Sequence, residues 1–101
     1  MRPRWGRVGV VGSSMVPALV AGEQLLVRWG GEPAVGDIVV VRRGGRLDVK
    51  RAVRREAAGW WVAGDNTGAS EDSRVYGVVP DADVLGVARW RCWPWRSRGR
   101  V

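Results

Sequence analysis

Short apolar runs recur along the chain, separated by glycine, proline and polar pairs, and none holds a helical period for long. Val8–Val11, Gln24–Trp29, Asp37–Arg42, Leu47–Val53, Trp60–Ala63 and Val84–Trp90 read as strands, with a shorter one near Val75–Val79. Turn signals lie between them at Pro17, Gly30-Gly31, Pro33, Gly36, Gly44-Gly45, Asp65-Asn66, Gly68 and Pro80. Gly44-Gly45 predicts a hairpin with a two-residue turn, because both positions can take positive φ. Helix is expected only as a turn or two after Pro17 and near Asp81–Val84. The pattern predicts an all-β protein, one small domain of coiled antiparallel sheets. It spans residues 1–101, with a core over about 8–90 and a basic tail over 91–101.

Composition sharpens this picture. The chain has 101 residues, 46% of them hydrophobic, with 15 glycines and 5 prolines, which suits a valine-rich β domain with frequent turns. The single cysteine, Cys92, excludes an internal disulfide and points to a fold that needs no covalent staple. There is no histidine, so a Ser–His–Asp triad, a Cys–His pair and a His-ligated metal site are all excluded. No metal or other cofactor is expected. No run approaches the ~20 apolar residues that cross a bilayer, and none resembles an export signal, so the expected location is cytoplasmic or peripheral on a membrane.

Net charge is +7, made from 16 arginines and one lysine against 10 acidic residues. That balance suits a solvated basic surface, or an acidic partner such as nucleic acid or an anionic membrane. Trp90–Arg100 alternates tryptophan with arginine, the pair of residues that favours an anionic membrane interface. A peripheral membrane foot is one reading of this tail; a strip covering the sheet edge is another. Nucleic-acid stacking is a third reading, and nucleic acid is not the expected partner.

The lone lysine asks what an arginine could not do. Arginine stays protonated, whereas a desolvated lysine can be neutral and act as a base. Lys50 follows Val49 in an apolar-leaning strand, where burial lowers its pKa. Ser14 lies in Gly12-Ser13-Ser14-Met15-Val16-Pro17, where a valine strand breaks into a turn. Glycine beside a hydroxyl lets a substrate carbonyl approach the backbone N–H groups. A turn or capping serine is the competing reading.

Five boxes then occur in order: Ser14–Leu19 with Gly22-Glu23, Pro33–Val39, Val49-Lys50-Arg51, Gly64-Asp65-Asn66, and Ser70–Gly77. Together they resemble the type I signal peptidases, from about Val10 to Gly86. The resemblance implies a Ser–Lys endopeptidase with the β-ribbon architecture of signal peptidases and LexA. It implies Ser14 as nucleophile, Lys50 as general base and Ser70 as the hydroxyl that orients the lysine amine. Asp72 and Arg74 match a structural ion pair, with Asp65 in the adjoining turn. Gly12, Ser13 and Met15 fall at the oxyanion and substrate positions. Gly12 stands where some relatives carry a serine donor, which leaves the oxyanion to the Ser14 N–H, with water or Ser13 as further donors. The substrate is implied to add as a strand between Val8–Val11, which contains Val10, and Leu47–Val49, with small residues before the cut. Ala18, Glu23 and the lack of an N-terminal anchor depart from the family pattern. Lys50–Val53, Gly59–Val62 and Gly64–Asn66 look like the proteases that mature nickel superoxide dismutase by removing a leader. A LexA-like self-cleaving domain and a non-enzymatic membrane- or RNA-binding module are the alternatives.

Overall fold

A computed structural model describes residues 4–69, 71–93 and 99–101. The strands are β1 (Arg4–Gly9), β2 (Gln24–Trp29), β3 (Ile38–Arg43), β4 (Arg46–Glu56), β5 (Gly59–Ala63), β6 (Val79–Pro80), β7 (Val84–Trp93) and β8 (Gly99–Arg100). One short helix, α1 (Ser73–Tyr76), and two 3-10 turns accompany them. The strands form one antiparallel sheet in the order β1-β2-β7-β3-β4-β5-β6, with β8 added to β7.

The centre of the sheet follows from β3. Ile38-Val39-Val40-Val41 is a continuous apolar run, and all of it is buried. Side chains alternate across a strand, so this run feeds a core on each face of the sheet. Ile38 and Val40 join Leu25, Val27 and Ala88, together with Val10, Met15 and Leu19 from the β1–β2 connection. Val39 and Val41 join Ala52, Trp60, Val62, Val79 and Val87. The β3–β4 hairpin turns at Gly44 (φ 57°) and Gly45 (φ 80°), the two positive values of a type I′ turn.

Four elements depart from the expected pattern, β4 among them, which runs past Val53 to Glu56. β1 begins at Arg4 and ends at Gly9; Val10 then continues the pairing through its N–H to the Glu23 carbonyl, 2.8 Å, before the chain turns away. The segment read as a strand near Val75–Val79 is helical over Ser73–Tyr76, with only Val79–Pro80 extended. The cause is Asp72, whose side chain caps the helix by accepting the Arg74 N–H, while Gly77 at φ 80° ends it. β7 runs three residues past Trp90, to Trp93, and so enters the segment read as a tail.

Candidate active site

The strand β4 has two halves. From Arg51 to Glu56 it pairs with β3 or β5, and β5 starts only at Arg51 opposite Ala63. Over Arg46–Lys50 it pairs with β3 alone among the described residues, so that half offers an open edge. Register places Lys50 opposite Val39 and Asp48 opposite Val41, on the face of the second core. Lys50 is 4% exposed there. Burial holds its amine below the ordinary 10.5, and the charges of Arg46 and Arg43 push the same way. Asp48 and Asp72 oppose them without reversing the shift.

Facing this edge is the connection between β1 and β2. Buried Met15 and Leu19 anchor it in the first core, and the Leu19 N–H closes a turn on the Met15 carbonyl at 2.9 Å. Half-buried Ser14 therefore sits on a short segment that cannot swing freely. Val11, Gly12, Ser13 and Ser14 form one wall of a cleft of about 390 Å³. Arg46, Leu47, Asp48 and Lys50 line the other, with Glu71 at its border. Ser14 and buried Lys50 thus line the same solvent-open cleft.

Behind the cleft, the Gly64-Asp65-Asn66 turn ties the two walls together. Arg51, next to Lys50, forms a bidentate pair with Asp65, Nε to Oδ1 at 3.2 Å and Nη2 to Oδ2 at 2.6 Å. Asn66 donates its backbone N–H to the Ser14 carbonyl at 2.8 Å and its Nδ2 to the Ser13 carbonyl at 3.0 Å.

A second brace lies beneath. Asp72 is fully buried and accepts from the Gly64 N–H at 3.1 Å, the Arg74 N–H at 3.1 Å, Arg74 Nε at 2.9 Å and Arg74 Nη2 at 3.0 Å. Burial alone would raise its pKa; the hydrogen bonds from Arg74 and Gly64 outweigh it, and the carboxyl lies below its ordinary 3.8. Ser73 Oγ accepts the Val62 N–H at 2.8 Å and fixes the same segment to β5.

Of the residues singled out in the sequence, Gly12, Ser13, Ser14 and Lys50 line the cleft. Val10 and Met15 are buried in the first core and Val49 packs half-buried against it, so their side chains face away from the cleft. Asp65, Asp72 and Arg74 stand behind the site as braces, and Ser70 lies outside the described residues. Asp48, Glu71 and Asn66 carry part of the site without having been assigned a role. For Asn66 the available signal was its place in the Gly-Asp-Asn turn.

Comparison with known proteins places the chain in a family. Residues 6–88 match the model of the family described as Peptidase S24-like. The chain is also 31% identical, over 84% of its length and 68% of the relative's, to mitochondrial ATP-independent inner membrane protease subunit 1a of Arabidopsis thaliana. A match over most of the chain on both counts means that this protein belongs to the Peptidase S24-like family, among the proteases of the type I signal peptidase kind.

Proposed function

We propose that this chain is a serine endopeptidase in which Ser14 and Lys50 form the catalytic dyad, and that residues 1–101 act as one peptidase domain. The observation that carries the reading is the shared cleft: it is lined by Ser14 and by buried Lys50, whose pKa is lowered. A precursor segment adds to the open Arg46–Lys50 edge and brings its carbonyl to Ser14. Neutral Lys50 takes the Ser14 proton as Oγ attacks, and the Ser14 N–H holds the developing oxyanion. The lysine returns the proton to the departing amine, leaving an acyl-enzyme. Lys50 then deprotonates the water that releases the acid. The family resemblance gives Ser70 the role of orienting the lysine amine in this reading.

The substrate class is a precursor protein with small residues before the cut, from which an N-terminal leader is removed. A nickel superoxide dismutase precursor is the specific candidate. Its support is sequence likeness alone, in Lys50–Val53, Gly59–Val62 and Gly64–Asn66. Among the described residues no helix is long and apolar enough to cross a membrane. A peripheral contact has its own support: Trp5 faces Arg28, Arg7 faces Leu26 and Leu26 faces Trp90, all on one side of β1, β2 and β7. Trp5 and Trp90 are about half exposed on that open face. Interfacial tryptophan and arginine favour anionic headgroups, each arginine by about 1 kcal/mol near the surface. The protein then works in the cytoplasm or on a membrane's periphery.

The test is incubation with a nickel superoxide dismutase precursor and, separately, a preprotein carrying an Ala-x-Ala site, with mass spectrometry locating any cut. Cleavage abolished by both Ser14→Ala and Lys50→Met is the expected result. Cleavage that survives either substitution would remove the dyad. If neither precursor is cut, with or without anionic vesicles, the leader-removal reading fails.

A further inference from the structure

The oxyanion step places an unusual demand on one peptide group. Gly12 contributes no side-chain donor, so in the proposed mechanism the Ser14 N–H carries the oxyanion. That N–H belongs to the same planar peptide unit as the Ser13 carbonyl, and in a trans peptide the two point in opposite directions. Whatever fixes the Ser13 oxygen therefore aims the Ser14 N–H.

Two donors reach the Ser13 oxygen: the Val16 N–H at 3.2 Å and Asn66 Nδ2 at 3.0 Å. The Val16 bond is local and moves with the turn. Asn66 comes from the far side of the sheet, and its own backbone N–H grips the next carbonyl, that of Ser14, at 2.8 Å. Its neighbour Asp65 is held bidentate by Arg51, which follows Lys50 on β4. Gly64, one residue earlier, is tied to buried Asp72. The frame that carries the lysine thus reaches the serine's peptide group through a rigid chain of hydrogen bonds. Donation to a carbonyl oxygen also polarises its amide, which makes the N–H at the other end a stronger donor.

We infer that Asn66 is a positioning residue that aims and polarises the Ser13–Ser14 peptide group as the oxyanion donor. The inference rests on the dyad reading above. Asn66 acts through the backbone, so it affects the transition state and leaves substrate binding and the lysine's titration alone.

The experiment is steady-state kinetics of Asn66→Ala and Asn66→Asp on whichever precursor the wild-type chain cuts, with inhibition by a peptide aldehyde measured alongside. Asn66→Asp keeps the shape and the backbone N–H but replaces the Nδ2 donor with an acceptor. Removing an oxyanion donor outright costs about 100–1,000-fold in kcat; here the donor remains and only loosens, so a loss of roughly 10–100-fold is expected. In Asn66→Ala, which adds no charge, KM and the pH midpoint of the rate should stay within about twofold and 0.3 units, since a factor of two is 0.3 in logarithm. Aldehyde affinity should fall in step with kcat/KM, because the aldehyde adduct uses the same N–H. The Ser14 amide resonance should also move in both variants, a readout that needs no turnover and verifies folding. Unchanged kcat in a folded variant overturns the inference, as does a rise in KM at constant kcat or, in Asn66→Ala, a displaced pH midpoint. A wild-type chain that cuts nothing sinks the dyad reading instead, and this inference with it.

Discussion

Replacing Asp72 with alanine tests whether the brace beneath the cleft holds the fold together. The carboxylate is fully buried and accepts hydrogen bonds from Gly64 and, through three nitrogens, from Arg74. Without it, the buried Gly64 N–H has lost its acceptor, at about 1–3 kcal/mol. Loss of the helix cap on Arg74 costs about 1 kcal/mol. The Arg74 side chain is 49% exposed and regains water, so loss of its ion pair adds little. The two costs sum to roughly 2–4 kcal/mol, a large share of the 5–15 kcal/mol typical of a folded domain. For a chain of this size that corresponds to a fall in Tm of at least about 8 °C. Urea unfolding followed by circular dichroism measures it. The control is Asp83→Ala, which breaks the exposed Arg42–Asp83 pair and should cost no more than about 0.5 kcal/mol. If Asp72→Ala costs no more than the control, the brace does not work as described. The pH dependence carries the same sign: the Asp72 carboxyl is held below 3.8, so its contribution is present above that value and is lost as pH falls through the lower, folded pKa.

Three further outcomes follow from the cleft and the sheet. Cleavage should rise with pH as Lys50 loses its proton, through a midpoint below 10.5, and Asp48→Asn should lower that midpoint because Asp48 favours the ammonium form; a pH–rate profile with its midpoint at 10.5, or one that Asp48→Asn moves upward, would contradict this. Lys50→Met should abolish cleavage yet raise stability near neutral pH, since burial makes the charged amine costly there and that cost vanishes above 10.5; thermal unfolding decides, and a less stable variant is the adverse result. Gly59→Ala should cost about 1–3 kcal/mol, because its new Cβ would press on the Val79 carbonyl oxygen in β6, which is backbone and cannot step aside; a denaturant midpoint equal to wild type would be the contrary finding.

Much of the sheet was legible because its signals are local. The Ile38–Val41 run marks a strand covered on both faces, and Gly44-Gly45 marks a turn with two positive φ values. The β4–β5 hairpin is less visible, since its turn residues Ala57 and Ala58 carry no turn chemistry. Helix α1 was missed because its cap is a side chain that also bonds Gly64, eight residues upstream. Ser14 and Lys50 were open to notice from composition and from the ordered boxes. Which neighbouring side chains enter the cleft was not: Val10 and Val11 look alike in sequence, yet one is 5% exposed and the other 81%. The strand ends at Gly9, and the turn that follows decides which of the two valines faces the core. Asn66 reads as ordinary turn chemistry until its partner, 53 residues earlier, is in view.

The open half of β4 also bears on self-association. An unpaired strand edge invites a second copy of itself, the first step toward aggregation. Two Arg46–Lys50 segments pairing antiparallel about their centre would set Asp48 against Asp48 and Arg46 against Lys50. Like charges directly opposite are repulsive. The alternation Arg46, Asp48, Lys50 thus makes the edge a poor template for its own sequence while leaving its backbone groups open to a strand of uncharged side chains.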